Sequence, residues 1–160
     1  MRLGDGHDRL VLDLNNVVNT VYAGSGNDRV SGQEIDRSFG EAGNDVLSGG
    51  GTVDGGTGHD TISNGGTLRG GDGNDTITGQ RIGSTIEGGR GDDTIQGGVG
   101  RDIVHGNSGD DGIRGAQGSD DLFGGPGDDV VYGNSGNDVV EGGPGRDTLS
   151  GGPGNDRVRQ

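Results

Sequence analysis

Residues 70–159 read, without a gap, GGDGNDTIT, GQRIGSTIE, GGRGDDTIQ, GGVGRDIVH, GNSGDDGIR, GAQGSDDLF, GGPGDDVVY, GNSGNDVVE, GGPGRDTLS and GGPGNDRVR. Position six of these nine-residue units is Asp in all but the second, where Ser84 stands. Position eight is always Ile, Leu or Val. A repeat of this kind signals a chain that stacks rather than one that wraps around a single centre. Positions seven to nine, such as Thr94-Ile95-Gln96, favour a short strand whose alternation turns only the middle side chain inward. Glycine at positions one, two and four admits positive φ and removes the Cβ atoms that would collide between stacked turns. Pro126, Pro144 and Pro153 all fall at position three, a turn site suited to a fixed φ. No segment escapes glycine long enough to sustain a helix.

Upstream, the unit recurs at residues 3–11, 23–31, 40–48 and 55–63. Between these lie two six-residue pieces, GGGTVD (49–54) and NGGTLR (64–69), which keep the strand-like ending but lack half the turn. Residues 12–22 and 32–39 are irregular. The expectation is one repeat domain over 1–160, regular across 70–159 and less regular across 3–69.

Composition narrows the chemistry. The 26 acidic residues comprise 22 Asp and four Glu, all 12 basic residues are Arg, and the net charge is -14. A bias this strong toward the shorter carboxylate suits turns and metal ligation. The acidic balance argues against nucleic acid, which needs clustered basic side chains, and against anionic membrane surfaces. There is no cysteine for a disulfide or a thiolate metal site. No apolar run approaches the length that spans a bilayer, and no signal peptide is legible ahead of the first unit at Leu3.

The units match the pattern GGxGxDxUx, with U apolar, and more than a dozen stand in phase. The chain thereby resembles the RTX, or hemolysin-type, calcium-binding repeats of secreted bacterial toxins, proteases and lipases. That resemblance implies an all-β fold: a right-handed parallel β-roll, a β-helix-like solenoid of about nine coils of two short strands. It also implies calcium between neighbouring turns, held by position-six carboxylates and glycine carbonyls, and a secreted, extracellular setting. The chemistry is consistent, since calcium takes six to eight oxygen ligands.

If successive units lie on opposite sides of the roll, alternation sorts the carboxylates. One side, A, carries Asp8, Asp28, Asp45, Asp60, Asp75, Asp93, Asp111, Asp129 and Asp147. The other, B, carries the irregular segments, both six-residue pieces and Ser84, then Asp102, Asp120, Asp138 and Asp156. Gaps between adjacent aspartates number eight on A and three on B, so calcium ions number at most about eleven. Ordering a glycine-rich backbone is costly, which makes a calcium-dependent fold the expectation.

The remaining polar residues read more plainly. Asp92, Asp110 and Asp128 at position five suit solvated neighbours rather than primary ligands. His7, His59 and His105 share no zinc spacing and read as surface histidines. The threonine columns Thr61, Thr76, Thr94 and Thr52, Thr67, Thr85 reflect strand propensity. No nucleophile elbow, P-loop or metalloprotease helix motif occurs, so no enzyme is expected. A calcium-rigidified structural or adhesin-like spacer is the alternative role. Uncapped strand edges leave room for end-to-end self-association.

Overall fold

The computed structural model describes residues 1–12, 18–33, 35–80 and 82–160. Among them nineteen strands and no helix are found. The odd-numbered strands in chain order form one ten-stranded sheet and the even-numbered strands a nine-stranded sheet, and every pairing is parallel. Each strand thus pairs with the strand two along the chain, as a flattened coil of two strands per turn requires. The fold is a parallel β-roll.

Register follows the repeat. Ile77 stands opposite Ile62 on one side and Ile95 on the other, and Ile95 opposite Ile113. This column of position-eight residues runs from Leu10 through Val30, Leu47 and the isoleucines to Val131 and Leu149. The facing sheet supplies Val21, Val53, Leu68, Ile86, Val104, Leu122 and Val140, all fully buried. The core is therefore two files of inward side chains, aliphatic but for Ser38, one residue per unit, and their flanking positions seven and nine point outward.

The pieces that look defective in sequence fit this frame. Residues 49–54 turn at Gly50–Gly51 and enter the strand Thr52–Thr57, whose Val53 faces Ser38 and Leu68. Residues 64–69 do the same ahead of the strand Thr67–Asp72. They shorten a turn without breaking either aliphatic file. Parts of the segments read as irregular, residues 13–17 and 34, lie outside the described residues.

In the units with Asp at position six, position two takes the left-handed region throughout. Gly56, Gly71, Gly89 and Gly98 have φ of 105°, 116°, 127° and 124°, and the non-glycine residues there, Glu41, Asn107, Ala116 and Asn134, have φ of 74°, 76°, 83° and 72°. Asn tolerates this conformation better than other non-glycine residues, which accounts for two of the four.

Candidate metal centre

The aspartate of each unit sits at the end of its turn, one residue before a strand, so parallel stacking brings successive aspartates over one another. On side A the turns run from the ten-stranded to the nine-stranded sheet and hold Asp8, Asp28, Asp45, Asp60, Asp75, Asp93, Asp111, Asp129 and Asp147. Side B holds Ser84, Asp102, Asp120, Asp138 and Asp156. The shortened and irregular turns all lie on B.

Within each file the aspartates are linked. The backbone N–H of Asp8 donates to Oδ1 of Asp28, Asp28 to Asp45, and so on without a break to Asp129, which donates to Asp147, at 2.7–3.0 Å. On B the ladder runs from the N–H of Ser84 through Asp102, Asp120 and Asp138 to Oδ1 of Asp156, at 2.6–3.0 Å. One carboxylate oxygen of every aspartate after Asp8 in these files is thereby used in the fold.

The other oxygen is not. Oδ2 of Asp28, Asp45, Asp60, Asp75, Asp93, Asp102, Asp111, Asp120, Asp129 and Asp138 is buried without a hydrogen-bond partner. At the end of file A, Oδ2 of Asp147 instead accepts from the side-chain amide of Gln160. An orphaned buried polar atom costs about 1–3 kcal/mol, more when charged. Seven in succession along A and three along B are not a packing accident.

Where the orphans point is set by position one. A Cβ built on Gly40, Gly55, Gly70, Gly88, Gly106 or Gly124 would lie within 3.0 Å of two oxygens. One is Oδ2 of the aspartate five residues on; the other is the position-one carbonyl of the next coil. Gly97, Gly115 and Gly133 repeat the arrangement on side B. The missing Cβ thus opens a cradle lined by a carboxylate oxygen and a carbonyl oxygen. These are hard donors of the kind calcium prefers, and the residues fit that ion. Among the described residues no three Asp, Glu or His side chains converge. The oxygens on offer are instead one carboxylate oxygen per coil and the main-chain carbonyls beside it.

Electrostatics point the same way. Burial pushes the carboxyls of Asp60, Asp93 and Asp111 up to about 7 and that of Asp120 to about 6, and neighbouring aspartates add to the rise against the lowering effect of the ladder hydrogen bonds. Burial likewise raises Asp45, Asp75, Asp102, Asp129 and Asp138. Desolvation and like charge both disfavour the ionised form, so the files are poised for cations.

The family model of the RTX calcium-binding nonapeptide repeat, four copies long, matches residues 15–34, 31–62, 63–81, 84–113, 114–149 and 123–158. The chain belongs to the RTX calcium-binding repeat family. No curated protein matches it significantly. Membership carries calcium binding and a structural β-roll, and the RTX description names no catalytic activity.

A second ladder along the RTX turns went unread in the sequence. At position five, Nδ1 of His7 accepts the N–H of Asn27, Oδ1 of Asn27 that of Asn44, Oδ1 of Asn44 that of His59, and Nδ1 of His59 that of Asn74. The series continues through Asp92, Asp110 and Asp128 to Arg146. Its hydrogen bonds run opposite to those of the buried ladder. These side chains are exposed, but they are structural acceptors rather than merely solvated neighbours. The recurrence of Asn, Asp or His at position five was the available signal.

Proposed function

We propose that calcium drives the folding of this chain from a disordered state into the roll, as a non-catalytic structural module that works outside the cell. The carboxylates available to calcium in this reading are drawn from Asp8, Asp28, Asp45, Asp60, Asp75, Asp93, Asp102, Asp111, Asp120, Asp129, Asp138, Asp147 and Asp156, together with turn carbonyls. The observation that carries it is the two runs of buried Oδ2 atoms without partners, seven on side A and three on side B. Bound calcium would supply two positive charges and coordination for six to eight oxygens.

The chain's own residues explain why metal is needed. One inward aliphatic side chain per unit is set against nine ordered backbones, several of them glycine. The aspartate stacks repel one another and leave buried oxygens unsatisfied. Coordination would remove both penalties in the same step, so binding energy becomes folding energy. The extracellular setting follows from the family resemblance, and a calcium-gated fold would stay open until the chain reaches it.

The test is far-ultraviolet circular dichroism in excess chelator, in calcium and in magnesium. Sheet signal in calcium alone is expected. Equal sheet content in chelator, or an equal response to magnesium, contradicts the reading.

A further inference from the structure

From the occupants of position one we infer that only nine of the eleven aspartate gaps are calcium sites, and that file A starts at Asp45 rather than Asp8. This inference rests on the calcium reading above and assigns it to particular coils.

The position-one column on side A is fixed by register. Arg2 and Gly4 stand opposite Tyr22 and Gly24, which stand opposite Phe39 and Glu41. Leu3, Ala23 and Gly40 are therefore consecutive occupants of one position, followed by Gly55, Gly70, Gly88, Gly106 and Gly124. Ala23 is completely buried and packs with the core, so its methyl points inward, where the glycines have none. At each glycine coil the site of that missing methyl is within 3.0 Å of both the Oδ2 and the next coil's carbonyl oxygen.

Calcium needs such oxygens as donors, and a Cβ at position one would fall within 3.0 Å of both, so a side chain there displaces the pair that the glycine coils hold together. A methyl carbon also needs about 3.5 Å or more to its neighbours. Ala23 closes the gap from Asp28 to Asp45, and Leu3 closes the gap from Asp8 to Asp28. Six open cradles remain on A and three on B, where Gly97, Gly115 and Gly133 carry no Cβ. A carboxylate at position six is thus one condition for a site, and glycine at position one is the other.

The experiment is equilibrium dialysis of the full chain against calcium, with bound metal counted per chain and folding followed by circular dichroism. Nine ions are expected for the native chain and ten for Ala23→Gly, which opens the gap from Asp28 to Asp45. A native count of ten or eleven overturns the inference while leaving calcium-driven folding intact, and so does an Ala23→Gly variant that folds but still binds nine. If that variant does not fold, the native count decides alone. A chain that binds no calcium overturns the underlying reading, and the inference with it.

Discussion

The backbone N–H of Asp93 donates to Oδ1 of Asp111, one coil further on, at 2.8 Å. Asp111 uses that oxygen to tie two turns together and holds its second oxygen buried and unpartnered. Structure and charge are therefore separable at this residue. Asp111→Asn keeps an acceptor for the ladder and removes the charge, whereas Asp111→Ala removes both. Asp111→Ala is expected to cost about 1–3 kcal/mol of calcium-dependent stability. Asp111→Asn should shift the calcium midpoint upward with less damage to the fold. Asp54→Asn, in one of the short pieces, should stay within about 0.5 kcal/mol. Thermal unfolding at fixed calcium, together with the calcium midpoint by circular dichroism, ranks the three.

Acid should partly replace calcium. The carboxyls of Asp60, Asp93 and Asp111 are raised by burial to about 7. The roll thus binds more protons than the disordered chain. The stability they contribute is fully present below the ordinary value of 3.8 and lost as pH rises through about 7. In chelator, sheet signal should grow as pH is lowered from about 8 to about 5. In calcium the trend reverses, because protons compete for the same oxygens. A chelated chain whose sheet content falls on acidification contradicts this.

Ala116 occupies position two with φ of 83°. A left-handed conformation costs a residue with a Cβ about 1–2 kcal/mol, and the extra freedom of glycine in the unfolded chain returns part of that. Ala116→Gly should therefore stabilise the calcium-bound roll by about 0.5–1 kcal/mol, read as a higher melting temperature. A drop would place the strain elsewhere.

Ser38 stands in the aliphatic file opposite Val21 and Val53, fully buried, with an unpartnered hydroxyl. Ser38→Ala removes the orphan without adding volume and should gain about 1 kcal/mol, measured by calcium-saturated thermal unfolding.

The stack, the two parallel sheets and the sorting of aspartates onto two sides were legible because each depends on phase alone. Two nine-residue units put Ile95 over Ile77 and Asp93 over Asp75, whatever the turns do in detail. What stayed hidden depends on distances between coils. Ser38 escaped because residues 32–39 lack the turn motif, although counting back from Gly40 places it at position eight. The contact between position-one glycine and Oδ2 escaped because one repeat read alone does not show which atoms of the next coil approach it. The position-five ladder escaped for the same reason: Asn44 and His59 look like solvated turn residues until the neighbouring N–H appears beside them.

The ladder amides test the central claim most directly. Hydrogen exchange at the backbone N–H groups of Asp60, Asp75 and Asp93, each bonded to the next carboxylate, should be strongly slowed in saturating calcium. In excess chelator the same amides should exchange at the rates of an unstructured chain. Equal protection of these three amides in calcium and in chelator contradicts a fold that calcium holds together.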